Sequence, residues 1–309
     1  MSKSILLCLD GLSDTGNRRK NNEDSWWAGQ LGGESACQEP SSSPLAINLQ
    51  ESPALLIVSD GVGGANAGEV ASKMTVTTIS SALAEKVADL RLPDGIIALL
   101  EEVLKSTNQA IATKSAESGF EGMGATLSLV MLANDGKAYW AQAGDSRIYL
   151  CRKGKLRQIS RDHSPVGRMR QKGLITETEA RVHPLRNQID QSLGDPNNEF
   201  IPEFGVESIL ERDVFLLCSD GLSDGLWDRE IEQQLAQVHS PKDVRATTGK
   251  LIEKAKAASG RDNITAVVAI VASGPKPATV LSRTFHKIGH LLSPKGGAPV
   301  PSSEPQRNG

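Results

Sequence analysis

Two stretches of the chain share one short design. Leu55-Leu56-Ile57-Val58-Ser59-Asp60-Gly61 and Leu216-Leu217-Cys218-Ser219-Asp220-Gly221 are apolar runs that end abruptly in Ser-Asp-Gly. A carboxylate at the end of a buried strand is held rigidly at a sheet edge. The glycine after it lets the backbone turn and lets its carbonyl approach a ligand closely. One Asp-Gly alone reads as a turn. Two at matching strand ends, if brought together, repel and require a proton or a cation. A hard divalent cation suits aspartate, backbone carbonyl and water.

Further acidic positions point the same way. Glu23 and Asp24 follow the basic run Arg18-Arg19-Lys20, and Asp145 stands in Ala143-Gly144-Asp145-Ser146-Arg147. Asp262 stands in Gly260-Arg261-Asp262-Asn263-Ile264-Thr265, immediately before an apolar run. Singly, each is a turn or a helix cap. Together they are carboxylates at strand termini, with arginine near and little histidine or cysteine. That composition suits an oxygen-ligand Mg or Mn site acting on an anionic substrate.

Short apolar runs bounded by Gly, Asp or Asn predict buried strands at 4–9, 54–58, 126–132, 137–141, 147–151, 213–218 and 264–271. Helical periodicity predicts helices over 69–87, 96–115, 230–238 and 242–258. The last has Ser240 as N-cap and Pro241 at its first position. Two long helices follow each other and strict β-α alternation is absent, so a doubly wound parallel sheet is disfavoured. Asn134-Asp135-Gly136 and Gly144-Asp145-Ser146 read as antiparallel hairpin connections. The fold class is therefore α+β, with antiparallel sheets and packed helices. Residues 32–52 read as a polar loop, and 274–309 as a tail rich in Pro, Ser and Gly. Within the tail, 280–292 reads as a frayed extension or a short basic amphipathic helix carrying His286 and His290.

The 309 residues hold 34 Lys+Arg against 37 Asp+Glu, a formal charge of −3, which offers no global attraction to nucleic acid or anionic membrane. No apolar run approaches the roughly 20 residues of a membrane span, and the start lacks a signal-peptide core. Cys8, Cys37, Cys151 and Cys218 form no Cys-x-x-Cys pair. Reduced thiols in a cytoplasmic protein are the expectation.

The motifs in order resemble the bacterial form of the metal-dependent protein phosphatases of the PPM (type 2C) family. They are Gly16-x-x-Arg19-x-x-Asn22-Glu23-Asp24, Val58-Ser59-Asp60-Gly61-Val62-Gly63-Gly64 with Gly68-Glu69-Val70-Ala71-Ser72, and Gly122-Met123-Gly124-Ala125-Thr126. Ala143 to Arg147, Leu217 to Gly221 and Gly260 to Thr265 complete the set. The resemblance spans about residues 4–272. It implies an αββα four-layer sandwich, two antiparallel sheets flanked by helices, with the metal centre at one end. Asp60 would bridge two Mn2+ or Mg2+ ions, and Asp220 and Asp262 would complete the first ion's ligands. The Gly61 carbonyl would serve the second, with Glu23 and Asp24 on it or one step behind. Asp145, with Asp220, matches a weaker third site. Arg19 matches the arginine that grips substrate phosphate, a role its planar fork suits.

The resemblance further implies hydrolysis of phosphoserine and phosphothreonine by in-line attack of a metal-bridging water, without a phosphoenzyme. Phosphorylated proteins would be substrates and a Ser/Thr kinase the opposing partner, with no nucleic acid, no membrane span and a monomeric state. Residues 1–273 would form the catalytic domain, with a flap at about 163–194, and 274–309 the tail. A non-catalytic phosphoprotein-binding relative is the alternative. Such relatives lose metal-binding carboxylates, whereas Asp60, Asp220 and Asp262 are all present. Two positions depart from the family. Val62 and Ala65 stand where animal and many bacterial members carry histidine, so no histidine general acid is supported there. His163 and His183 fall in the flap, where a structural role or a substrate contact would each fit. Cys151 and Cys218 lie in strand-like runs and read as core thiols.

Overall fold

The computed structural model describes residues 4–33, 36–37, 44–63, 67–91, 95–195 and 199–274, and in it the apolar runs become strands of two stacked sheets. In chain order the strands are β1 (Leu6–Asp14), β2 (Asp24–Gln30), β3 (Ala36–Cys37), β4 (Leu45–Asn48) and β5 (Ala54–Val62). Helices α1 (Ala67–Glu85) and α2 (Ile96–Ser115) follow, then β6 (Gly124–Ala125), β7 (Leu127–Leu132), β8 (Lys137–Ala143), β9 (Arg147–Arg152) and β10 (Lys155–Gln158). Two short helices, α3 (Pro165–Gln171) and α4 (Glu177–Arg181), precede β11 (Glu203–Ser208) and β12 (Val214–Cys218). The chain closes through α5 (Asp220–Gly225), α6 (Asp228–Leu235), α7 (Pro241–Ala258) and β13 (Ile264–Ser273).

One sheet has the order β10-β9-β12-β13-β1-β4 and the other β11-β8-β7-β5-β2-β3, with β6 paired to β5. Every pairing is antiparallel. Three apolar layers result. Leu9, Trp26, Val58, Phe215 and Val267 fill the space between the sheets. Trp27, Ile57, Ile79 and Leu104 join α1 and α2 to one outer face, and Leu216, Ile231, Leu251 and Val268 join α5–α7 to the other. The expected αββα layering is what forms. All described residues fall in one unit, Met1–Pro277.

Register decides where the acidic residues go. Asp24 pairs with Asp60, Cys218 with both Arg147 and Ala266, and Asp14 with Ile264. These pairings bring the ends of β5, β8, β12 and β13 that carry Asp60, Asp145, Asp220 and Asp262 to one end of the sandwich.

Three expectations need correction. Gly144-Asp145-Ser146 is not a hairpin, because β8 belongs to one sheet and β9 to the other. Gly144, at φ +94°, turns the chain across the gap while pressed against Thr126, and this crossing puts Asp145 at the sandwich end. The two Ser-Asp-Gly segments also differ. β5 runs on through Asp60 and Gly61 to Val62, held by β2 and β6, whereas β12 stops at Cys218 and Asp220 opens α5. Residues 45–48 within the expected 32–52 loop form β4, against β1. Ser240 does cap α7, and the Asp243 carboxylate accepts its backbone N–H at 2.9 Å. Ala65 and the 280–292 segment lie outside the described residues.

Candidate active site

Asp60, Asp145, Asp220 and Asp262 line one cavity of about 600 Å³ with Arg19, Glu23 and Gly61. Each is set by a local device. Thr126 holds Asp60 from both sides, its hydroxyl accepting the Asp60 N–H at 2.9 Å and its own N–H donating to the Asp60 carbonyl at 2.8 Å. The Thr126 hydroxyl also meets Ser146 Oγ at 2.5 Å, so the Asp60 strand and the Asp145 turn share one buried network. Gln142 extends it by donating to the Ser146 carbonyl at 2.6 Å.

Asn263, only 3% exposed, builds the opposite rim. Its amide nitrogen donates to the Thr15 and Asn21 carbonyls at 3.0 and 2.9 Å, and its oxygen accepts the Glu23 N–H at 2.8 Å. One side chain next to Asp262 thus shapes the loop that presents Arg19 and Glu23. Gly61 lies against the start of α1. A methyl group on it would sit 2.0 Å from the Gly68 carbonyl oxygen, so only glycine allows this approach.

Asp24 does not line the cavity. Its Oδ2 accepts hydroxyls from Ser219 at 2.7 Å and Thr265 at 2.6 Å, one layer behind Asp60. Asp262 is turned to Arg19, whose Nη2 lies 2.7 Å away, and Glu23 sits 4.0 Å from the same guanidinium. Asp224 lines the cavity too, and sequence reasoning missed it. Its signal was spacing, since Asp220 and Asp224 stand four apart and share one face of α5. From the segment between α4 and β11, Arg186, Asn187 and Ile189 complete the wall.

The charges are under strain. Burial and the nearby carboxylates hold Asp60 and Asp220 well above the ordinary aspartate range. Burial, then Asp162, pushes Asp145 up to about 7. Burial raises Asp24 to about 6 against the opposing pull of the Thr265 and Ser219 hydroxyls. Asp24 Oδ1 and Asp220 Oδ1 are buried without a hydrogen-bond partner. Among the described residues no three acidic, His or Cys side chains close on one point tightly enough to grip an ion, because Asp262 and Asp24 are turned to other partners. The donor set nevertheless fits hard divalent cations. It is all oxygen, mutually repelling, and holds an orphaned Asp220 oxygen at the cavity.

Among the described residues no histidine lines the cavity. The His163 backbone N–H donates to the Gly144 carbonyl at 2.8 Å, and His183 Nδ1 accepts the Leu185 backbone N–H at 3.1 Å. Cys8, Cys151 and Cys218 are free and buried, and burial pushes their thiols up to about 11, 11 and 12. They are core thiols and not nucleophiles.

The two-sheet sandwich carries an oxygen-lined, arginine-flanked cleft at one end. The comparisons give the family. The model of the protein phosphatase 2C family matches residues 45–256, and the chain belongs to that family. The serine/threonine protein phosphatase PstP of Mycobacterium tuberculosis (strain CDC 1551 / Oshkosh) is 36% identical over 270 residues, 87% of this chain and 46% of PstP. The chain thus spans about half the length of that relative. The protein phosphatase PhpP of Streptococcus pneumoniae serotype 2 (strain D39) is 34% identical over 224 residues, 72% of this chain and 87% of PhpP. The solved catalytic domain of PstP in complex with two manganese ions is similar with a TM-score of 0.67 and 32% identity, covering 87% of this chain and all of that one.

Proposed function

We propose that the protein is a metal-dependent serine/threonine protein phosphatase. The observation that carries this reading is the gathering of Asp60, Asp145, Asp220 and Asp262 beside Arg19 in one cavity. Family membership and the two-manganese PstP structure support it. Asp60, Asp220, Asp262 and the Gly61 carbonyl would hold two Mn2+ or Mg2+ ions, with Glu23 beside the second and Asp24 one layer behind. Asp145, with Asp220, would serve a weaker third. When bound, such ions supply an activated water and neutralise charge on phosphoryl oxygens.

The chain's own groups do the rest. Arg19 offers its fork to two phosphate oxygens and fixes the phosphorus for in-line attack. Thr126 fixes the backbone of Asp60, and Asp24 sets the floor beneath it. No side chain forms a covalent intermediate. Substrates would be proteins bearing phosphoserine or phosphothreonine, opposed by a Ser/Thr kinase. The reading assigns catalysis to residues 1–273, with a flap at about 163–194 and a separate tail at 274–309. Among the described residues no helix is long and apolar enough to cross a membrane. We place the protein in the cytoplasm, which suits its buried free thiols.

The purified chain should release phosphate from a phosphothreonine peptide with manganese, and chelation should stop it. Asp220→Asn should stay folded and lose at least about 100-fold in turnover. Turnover that survives complete metal removal would overturn the mechanism.

A further inference from the structure

A single guanidinium ties together the two walls of the cavity. Arg181 ends α4 in the flap, and its side chain is only 18% exposed. Nη1 donates to the Asp224 carbonyl at 2.7 Å and Nη2 to the Leu226 carbonyl at 2.5 Å. Nη2 also meets Glu177 Oε1 at 3.2 Å, and the guanidinium lies 4.1 Å from the Trp227 ring centroid. Glu177, at the other end of α4, accepts the Asp228 N–H at 3.2 Å. Both ends of α4 therefore grip the turn between α5 and α6.

The carbonyls taken by Arg181 are those at the C-terminal end of α5, which lack intrahelical partners. A cation there satisfies them and suits the negative end of the helix. α5 carries Asp220 and Asp224, both of which line the cavity. Five residues after Arg181 the flap delivers Arg186 and Asn187 to the same cavity. Arg181 thus joins the flap wall to the α5 wall that carries Asp220 and Asp224. Apolar burial does not do this work. α4 buries no residue, and the neighbouring Leu174 and Val182 are 68% and 78% exposed.

We propose that Arg181 is a positioning residue that latches the flap to α5 and so sets the width of the cleft. It acts through the Asp224 backbone on one side and through Arg186 and Asn187 on the other. Lysine cannot replace it, because an ammonium is a point donor that cannot bond two carbonyls and stack on the indole together. The kinetic part of the proposal rests on the phosphatase reading, and the structural part does not.

The test uses the full 309-residue chain with manganese, as Arg181→Ala, Arg181→Lys and Trp227→Leu. Hydrogen exchange should quicken together in 175–190 and 220–227 of Arg181→Ala, by about tenfold, with the central strands unchanged. KM for a phosphothreonine peptide should rise by about fivefold, while kcat on para-nitrophenyl phosphate stays within about twofold. Arg181→Lys should reproduce most of the loss, and Trp227→Leu a smaller part. These two variants carry the test if Arg181→Ala does not fold. Exchange that quickens in the flap alone, or nowhere, overturns the latch. So does an equal effect on both substrates, or full rescue by lysine. If the unaltered chain turns over neither substrate, the phosphatase reading fails, and the exchange result alone decides the latch.

Discussion

Arg19 Nη2 lies 2.7 Å from Asp262 Oδ2, so a cation facing the cavity is held by a carboxylate of the same cavity. The two side chains are 48% and 34% exposed, and water competes for both. Such a pair is worth less than about 1 kcal/mol. A phosphate can therefore take the guanidinium, and a cation the carboxylate, at little cost. Arg19→Ala should leave Tm nearly unchanged. Losing charge-assisted bonds worth about 1.5–3 kcal/mol should weaken competitive inhibition by inorganic phosphate by roughly 10- to 100-fold. An inhibition constant equal to the parent's would refute the phosphate role.

The strained carboxylates make stability depend on pH and metal together. Asp24 and Asp145 rise from the ordinary 3.8 to about 6 and about 7, and Asp60 and Asp220 are also raised. The folded chain therefore keeps protons that the unfolded chain has already released. Stability from these groups is fully present below about pH 3.8 and is lost as pH climbs through 6 to 7. Metal binds the deprotonated form and reverses the loss. The chelator-treated protein should melt lower at pH 7.5 than at pH 5.5. Added manganese should raise Tm more at pH 7.5. A manganese shift that is equal at both pH values would contradict this linkage.

What the sequence made legible follows from how each element is specified. The runs that became β5, β7, β9, β12 and β13 are apolar, each with Leu, Ile or Val, and bounded by turn residues, so local chemistry defines them. β2 was hidden because both its faces are buried. Trp26 points to the layer between the sheets and Trp27 to the helical layer, which erases the alternation. The Gly144–Ser146 turn looks like a hairpin because turn chemistry does not reveal whether the next strand pairs back or changes sheet. Most of the acidic site was legible because its carboxylates flank apolar runs. Asp224 was not, since it stands four residues into a six-residue helix and not at a strand terminus. The placement of Asp24 behind the cavity depends on two hydroxyls from distant parts of the chain, a tertiary fact that no local spacing encodes.

Gly61 makes a steric prediction. Alanine there would set a methyl 2.0 Å from the Gly68 carbonyl oxygen and 2.3 Å from its carbon, both backbone atoms at the start of α1. Relief requires α1 or β5 to shift, at a cost of about 1–3 kcal/mol. The shift would also move the Gly61 carbonyl. Gly61→Ala should lower the urea midpoint and lose more activity than the unfolded fraction explains. Gly249→Ala is the matched control, because its methyl would find only Leu12 Cδ1, at 4.0 Å, within α7. It should stabilise by about 0.5–1 kcal/mol and leave activity unchanged.

The hydroxyls behind Asp60 form a directed chain. Asn22 Nδ2 donates to Ser13 Oγ at 2.7 Å, and Ser13 and Thr265 hydroxyls meet at 2.7 Å. Thr265 spends its proton on Asp24 Oδ2 at 2.6 Å, so Ser13 must donate to Thr265. Asp24 belongs to one sheet, while Ser13 and Thr265 belong to the other, so the chain clasps the two at the site. The donors favour the ionised carboxylate, and their contribution is present above the Asp24 pKa of about 6 and lost below it. Thr265→Val removes one donor and keeps the shape. At pH 8 it should cost about 1.5–3 kcal/mol, the worth of a hydrogen bond to a charged group. At pH 5, with Asp24 protonated, the cost should fall to that of a neutral bond, about 0.5–1.5 kcal/mol. Urea unfolding at the two pH values measures the difference, and a loss independent of pH would show that Asp24 is not ionised in the fold.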